Sequence, residues 1–179
     1  MKLKIYSVSD KYVNYLRQFD NKIYDNKADI RTHTRKYVGV VISIGNINYY
    51  IPMSSPKKTD YLDKECTKIR PSMNTIVRMT AKNKDGILEL RGTLRISNMI
   101  PVPNTEILLY DVDSEQDTKY KDIIKDEIAF LRYPTNEKNI INKAKLVHKQ
   151  KINSIDIKYL DNCVNYKLLE EKCIEYNKR

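Results

Sequence analysis

Hydrophobic and polar residues alternate along the first two-thirds of the chain, in a pattern typical of β-strands. Leu3 and Ile5 alternate with polar neighbours in a first predicted strand. The segment YVGVVISIGNINYYIP holds two β-branched and aromatic runs around a Gly-Asn pair, which predicts a hairpin with strands at 37–44 and 47–52. Further strands are predicted at 75–81 and 86–91 around an NKDG turn, and RGTLRISNMIPVP and EILLYDV continue the pattern.

The apolar spacing changes to a helical period from residue 115 onward. One stripe ends at Pro134 and consists of Tyr120, Ile123, Ile124, Ile128 and Leu131. Two later helices are predicted to begin near Thr135 and Asn165. Ser9 is a predicted N-cap of a short helix near the N-terminus, and the polar, aperiodic residues 20–36 predict a long loop.

This order of elements predicts the α+β fold class. We expect a compact, strongly curved antiparallel sheet or barrel decorated by helices, with a helical C-terminal third. Because the 179 residues contain no linker, repeat or low-complexity segment, we expect a single domain over residues 1–179.

The charge of the chain indicates a polyanionic partner. Its 33 Lys and Arg residues against 23 Asp and Glu residues give a formal net charge of +10. Nucleic acid is the first candidate and an anionic membrane surface the second. Since the sequence has no apolar run near the roughly 20 residues of a membrane span, no signal-peptide core and no acylation motif, we expect a soluble, cytoplasmic protein.

Several common kinds of catalytic and metal site are absent from the sequence. It contains no GxxxxGK[ST], GxGxxG, HExxH or GxSxG motif, and it has only two histidines. The three cysteines include no CxxC pair, so we expect buried reduced thiols rather than disulfides or a zinc site. The sequence therefore predicts neither a metal nor a cofactor.

Hydroxyls and cations concentrate at the end of the second hairpin strand, in the segment IPMSSPKKT at 51–59. Ser54 and Ser55 precede Pro56, and Lys57 and Lys58 follow it. Hydroxyls, backbone N–H groups and lysines are the groups that hold phosphate oxygens. The same composition also suits a polar loop without chemistry, so the motif alone leaves both interpretations open.

The hairpin brings a second basic segment to this strand end. RTHTRK precedes the first hairpin strand, so Arg35 and Lys36 are predicted to lie near Ser54 and Lys57. Such a cluster can support RNA cleavage without a metal, since it positions the phosphate and stabilises its charge while the 2′-hydroxyl attacks. The expected product is a 2′,3′-cyclic phosphate, and DNA, which lacks the 2′-hydroxyl, is spared.

Five segments that follow one another along nearly the whole chain carry a family resemblance. They are SVSDKYVNYLRQFD, YVGVVISI leading into YYIPMSSPKK, NMIPVP, EIAFLRY and NYKLLEEK. In this order they resemble the ToxN/AbiQ family of bacterial type III toxin–antitoxin endoribonucleases.

The resemblance implies a partly open barrel related to the MazF and Kid toxins, decorated by helices. It implies metal-independent RNA cleavage, often at adenine-rich sequences, and processing of a repeat-RNA antitoxin. That RNA, a pseudoknot, inhibits the toxin in a cyclic protein–RNA assembly, and some systems act in abortive phage infection. The expected partners are therefore antitoxin RNA and cellular or phage RNA, with no membrane and no DNA.

The resemblance also implies roles for single residues. The family's Thr-Ser-Pro-Lys motif falls on residues 54–57, with Ser54 in place of the threonine. Ser55 would be the critical hydroxyl at the scissile phosphate, and Lys57 the charge stabiliser or proton donor. The family's basic residue before the first hairpin strand falls on Arg35, or on Lys36 if the register shifts by one; an arginine can stabilise charge but is a poor acid or base.

Other basic and aromatic residues are candidates for RNA binding. They are Arg31, His33, Lys36, Lys58, Tyr12, Lys145, Lys149 and Lys151. The alternatives are a solvated loop position for His33, a core position for Tyr12 and a solvated helix face for the last three lysines.

Three functions compete at this point. The first is a metal-independent endoribonuclease toxin that its own RNA antitoxin holds in check. The alternative is a non-catalytic basic RNA-binding module, and a small DNA-binding regulator is third because no helix-turn-helix pattern is evident.

Overall fold

The computed structural model describes residues 2–26 and 33–178. These residues include seven antiparallel strands and four α-helices. The strands are β1 (Lys4–Val8), β2 (Lys36–Ile44), β3 (Ile47–Ser54), β4 (Ile76–Lys82), β5 (Leu88–Arg95), β6 (Ile100–Val102) and β7 (Ile107–Leu109). The helices are α1 (Asp10–Arg17), α2 (Thr118–Arg132), α3 (Pro134–Ile152) and α4 (Tyr166–Asn177). The predicted α+β class is confirmed.

The strands form one sheet in the order β4-β5-β3-β2-β1-β7, with β6 paired to β3. Strand β3 lies against β2 along one edge. Its other edge pairs first with β6, at residues 48–50, and then with β5, at residues 53–54. Since β4 and β7 end this order and do not pair with each other in the described part of the chain, the sheet is open rather than closed.

The predicted hairpin is confirmed with nearly the predicted bounds. Strands β2 and β3 pair Tyr37 with Pro52 and Ile44 with Ile47. Gly45 in the turn has a φ of +56°, a conformation that glycine adopts without steric cost. The second predicted hairpin, β4 to β5, is also present, and β5 extends further than predicted because it includes residues 92–95.

The helices begin and end where the sequence indicates. The Ser9 hydroxyl accepts a hydrogen bond from the Tyr12 amide and caps α1, and the Asn165 side chain caps α4 in the same way. Helix α2 is capped by Asp117 and ends before Pro134, which is the first residue of α3. No helix in the described ranges has the length and apolar composition of a membrane span.

Tyrosines occupy much of the hydrophobic core. The fully buried ones are Tyr12, Tyr37, Tyr49, Tyr50 and Tyr166. Tyr12 has no exposed surface and its hydroxyl donates to the Pro101 carbonyl at 2.7 Å. The RNA-stacking role predicted for Tyr12 is therefore wrong, because a ring without exposed surface cannot meet a base; its alternative, a core position, is correct.

The cysteines are free thiols. Cys163 and Cys173 are buried, as predicted, whereas Cys66 is only half-buried in the irregular segment between β3 and β4.

Candidate functional site

A cleft of about 360 Å³ opens at the end of β3. Residues 33–36 and residues 53–56 line one side, and Arg91 of β5 adjoins them. The other side is a face of α2 that carries Tyr120, Ile123, Ile124 and Glu127. The hairpin thus brings residues 33–36 of the first predicted segment and residues 54–56 of the second to one concave surface, whereas Lys57 and Lys58 follow outside the cleft lining.

Arg35 joins the two segments directly. One terminal nitrogen of its guanidinium donates to the Ser54 hydroxyl at 2.8 Å and to the Met53 carbonyl at 2.7 Å. Its Nε donates to the Asp25 carbonyl at 3.0 Å, and the guanidinium lies 4.7 Å from the centre of the Tyr24 ring. The predicted proximity of Arg35 and Ser54 is confirmed, and these contacts fix Arg35 against the strand end.

The two serines differ in exposure. Ser54 is 8% exposed and its hydroxyl accepts from Arg35, whereas Ser55 is exposed at the cleft. Ser54 is the last residue of β3, in which residues 49–54 are all buried, whereas Ser55 is the first residue beyond the strand. Of the two hydroxyls, that of Ser55 is therefore the one accessible to a ligand.

The loop after β3 is anchored by a buried carboxylate. Asp60 is 1% exposed, and its side chain accepts from the Lys57 amide at 3.0 Å. The same carboxylate pairs with Arg78 at 2.9 Å and with Arg95 at 3.2 Å. The backbone at Lys57 is thereby held in place, while Lys57 and Lys58 are exposed.

Lys36 lies partly inside the cleft wall. Its ammonium is 4.3 Å from the centre of the Tyr110 ring. Burial lowers the pKa of Lys36, and the nearby Glu115 carboxylate opposes this in part. Lys36 is accordingly a better candidate than Arg35 for exchanging a proton.

His33 packs onto α2 at the edge of the cleft. Its ring stacks on Tyr120 with a centroid distance of 3.8 Å, and its Nε2 lies 3.2 Å from an Asp117 carboxylate oxygen. Hydrogen bonds from the Tyr120 amide and from His33 lower the pKa of Asp117. His33 is therefore an ordered part of the cleft rim rather than a solvated loop residue.

Glu127 is a cleft residue that the sequence did not single out. It is 4% exposed, on the stripe of α2 that also buries Ile124 and Leu131. Burial, with a smaller contribution from Asp126, raises the pKa of its carboxyl to about 8. Glu127 lies three residues after Ile124 and four residues before Leu131. This helical spacing could have predicted that Glu127 lies on the buried face of α2.

The other predicted RNA-binding residues lie away from the cleft. Lys145 and Lys149 are exposed on α3, and the Lys151 ammonium donates to the Leu160 carbonyl at 2.9 Å. His148 on the same helix contacts Glu170 at 2.9 Å. Arg31 lies outside the described residues.

No metal-ligand cluster occurs in the described ranges. Among residues 2–26 and 33–178, no three His, Cys, Asp or Glu side chains are grouped so that they could hold a metal ion.

Comparison with known proteins gives matches over the whole chain. The family described as Toxin ToxN, type III toxin-antitoxin system, matches residues 4–174. Endoribonuclease AbiQ of Lactococcus lactis subsp. lactis is 30% identical over 100% of this chain and 92% of its own length. Endoribonuclease ToxN of Bacillus thuringiensis subsp. kurstaki is 31% identical over 98% of this chain and 85% of its own length.

Two solved structures share the fold over 100% of both chains. One is AbiQ, a lactococcal anti-phage endoribonuclease of the type III toxin–antitoxin systems, with a TM-score of 0.79 and 27% identity. The other comes from a type III system in which a non-coding RNA pseudoknot selectively inhibits the toxin, with a TM-score of 0.78 and 27% identity.

Proposed function

The chain belongs to the ToxN family of type III toxin–antitoxin toxins, and we propose that it is an endoribonuclease that cleaves RNA in the cleft at the end of β3. The observation that carries this proposal is the arrangement around Ser55. Its exposed hydroxyl lies between the buried Arg35–Ser54 pair and the anchored loop that presents Lys57.

The contacts support a division of roles within this cluster. Ser55 binds the scissile phosphate, and Lys57 stabilises the charge that develops on the phosphate oxygens. Arg35 and Ser54 fix the end of β3 through their mutual hydrogen bond, so they position Ser55 and add a nearby positive charge. Lys36 and Lys58 hold the flanking phosphates, and His33 completes the rim.

The proposed reaction is transesterification without a metal. The ribose 2′-hydroxyl attacks the adjacent phosphorus in line, the bond to the 5′-oxygen breaks, and a 2′,3′-cyclic phosphate results. A cluster of hydroxyls and cations supplies positioning and charge stabilisation, the two contributions that such a reaction needs most.

The proposed partner is an RNA antitoxin. The toxin of one structural relative is inhibited by an RNA pseudoknot, and the net charge of +10 here suits an RNA backbone. We expect a repeat-RNA pseudoknot that this protein processes and that inhibits it in a cyclic assembly. Lys145 and Lys149 would contact its phosphates, and cellular or phage RNA in the cytoplasm would be the substrate during abortive infection.

The architecture proposed for the chain is one domain over residues 1–179 with a MazF- or Kid-like, partly open barrel. Two features support this. Strand β3 pairs with β2, β5 and β6, and the buried apolar residues of all four helices belong to a single core.

Cleavage of adenine-rich RNA in the presence of EDTA tests the proposal. Wild-type protein and Ser43→Ala, which alters an exposed serine at the far end of the same hairpin, should cleave. Ser55→Ala should lose about 10²–10³-fold in rate, as when one group that stabilises a transition-state charge is removed. Cleavage that requires a metal, or that survives in Ser55→Ala, would contradict these roles, and binding without any cleavage would favour the alternative of a non-catalytic RNA-binding module.

A further inference from the structure

The Glu127 side chain is 4% exposed and lines the cleft, where its carboxyl keeps a small accessible surface. In the described part of the chain it has neither a hydrogen bond nor an ion pair, and only burial and the neighbouring Asp126 act on its ionisation. Buried polar groups are normally paired, and an exception calls for an explanation. Because Glu127 shares the cleft with Ser55, a substrate bound there can supply the missing partner.

The sheet leaves space for this carboxyl at one glycine. A Cβ atom on Gly92 of β5 would overlap Oε1 of Glu127. The carboxyl therefore lies directly over the backbone of β5. The side chain of any other residue at position 92 would overlap it. Since glycine in a strand interior weakens the strand, its presence here suits a site where another group approaches closely.

The surroundings favour a neutral acid that can release its proton. Burial raises the pKa of Glu127 to about 8, so the carboxyl is largely protonated at neutral pH. His33 and Arg35 line the cleft from the segment before β2, Lys36 lines it from the first position of β2, and Arg91 lines it from β5. Arg91 is itself paired with Glu89 and Asp126, each at 2.8 Å, and among the charged groups of the described residues only Asp126 acts on the ionisation of Glu127. An acid with a pKa near the working pH is an efficient proton donor.

The leaving 5′-oxygen must gain a proton, and Arg35 cannot supply one. Lys57 is exposed and is assigned to the charge of the phosphate oxygens. Lys36 and His33 also line the cleft, but the Lys36 ammonium lies 4.3 Å from the centre of the Tyr110 ring and His33 Nε2 lies 3.2 Å from an Asp117 carboxylate oxygen. Glu127 is the carboxyl among the residues that line the cleft.

We propose that Glu127 is a catalytic residue of this site and protonates the leaving 5′-oxygen of the RNA. The 2′-oxygen forms its bond to phosphorus and its proton passes to water. The bond between phosphorus and the 5′-oxygen breaks, and that oxygen takes the bonding electron pair and the proton of Glu127. The carboxylate then regains a proton from solvent. This inference rests on the proposed function.

Glu127→Gln and a modified RNA test the inference. The cleavage site of a defined RNA is first mapped with wild-type protein, and the same RNA is then made with sulfur in place of the scissile 5′-oxygen. A thiolate leaves without protonation, whereas an alkoxide does not. Glu127→Gln should therefore cleave ordinary RNA about 10²–10⁴-fold more slowly than wild type and cleave the sulfur-containing RNA at nearly the wild-type rate.

The pH profile gives a second readout. A proton donor acts only while protonated, so wild-type kcat/KM on ordinary RNA should fall as the pH rises past about 8. Glu127→Gln should lack this fall, and so should wild type on the sulfur-containing RNA. Asp122→Asn, the same change at an exposed position of α2, is the matched control and should behave as wild type.

Three results would overturn the inference, and each is distinct from a failure of the proposed function. Glu127→Gln could cleave ordinary RNA at the wild-type rate, it could be equally slow on both RNAs, or it could keep the alkaline fall in rate. If wild type itself cleaves no RNA, the proposed function fails instead.

Discussion

Replacing Glu127 with glutamine should change how the stability of the folded protein depends on pH. A carboxyl that is buried with a raised pKa favours the folded state when it is protonated and opposes it when it is charged. The folded pKa is about 8 and the ordinary value is 4.5. The stabilisation by the neutral form is therefore complete below pH 4.5 and is lost progressively until the pH has risen through about 8.

The size of this effect follows from proton linkage. Between the two pKa values the folded state holds one proton more than the unfolded state, and each pH unit costs about 1.4 kcal/mol of unfolding free energy. From pH 5 to pH 9, the Glu127 carboxyl alone should remove about 4 kcal/mol from wild type. Glutamine, which does not titrate, should remove nothing over the same range.

Urea unfolding of wild type and Glu127→Gln at pH 5 and pH 9 measures this difference. All other titrating groups are common to both proteins, so subtracting one pH dependence from the other isolates the carboxyl. The free energy of unfolding should fall between pH 5 and pH 9 by about 4 kcal/mol more in wild type than in Glu127→Gln. Equal pH dependence in the two proteins would refute the reasoning, because it would mean that Glu127 is charged or solvated in the folded state.

Three further substitutions test other parts of the structure. Asp60→Asn should cost about 3–5 kcal/mol in urea unfolding, because it leaves Arg78 and Arg95 buried without their carboxylate; an unchanged midpoint would contradict the anchoring role. Gly92→Ala should displace the Glu127 carboxyl and lower kcat/KM by about 10²-fold, and undiminished cleavage would show that its position is not critical. Tyr12→Phe should cost about 1–3 kcal/mol, since the Pro101 carbonyl loses its donor, and should leave RNA affinity in a filter-binding assay unchanged; weaker binding would restore a role for Tyr12 at the RNA.

Much of the fold could be predicted because its signals are local. The run YVGVVISIGNINYYIP specifies two strands by β-branched content and a turn by its glycine, and the structure pairs them with the predicted ends. The Ser9 and Asn165 caps and the stop at Pro134 likewise act within one turn of helix. The approach of Arg35 to Ser54 followed as well, because an antiparallel hairpin fixes which residues are opposite each other.

The errors and omissions have non-local causes. The sequence around Tyr12 is compatible with a ring that stacks on RNA and with a ring in the core. Only the tertiary structure, in which the Tyr12 hydroxyl donates to the Pro101 carbonyl, shows that it is in the core. Asp60 meets Arg78 and Arg95 from positions 18 and 35 residues away, so no sequence spacing reveals that the three form one buried network. Burial of that network nonetheless determines where the backbone of Lys57 lies.

The sequence by itself determined the class of fold and the hairpin that brings Arg35 to Ser54, and its charge of +10 predicts a polyanionic partner. Each of these depends on neighbours along the chain or on a sum over all residues. Only the tertiary structure decided which hydroxyl is accessible, which loop is anchored and which carboxyl loses its water. Solvent is excluded where segments distant in the sequence pack together. The clearest example is Glu127 of α2, whose carboxyl packs against Gly92 of β5 and whose pKa is raised by burial.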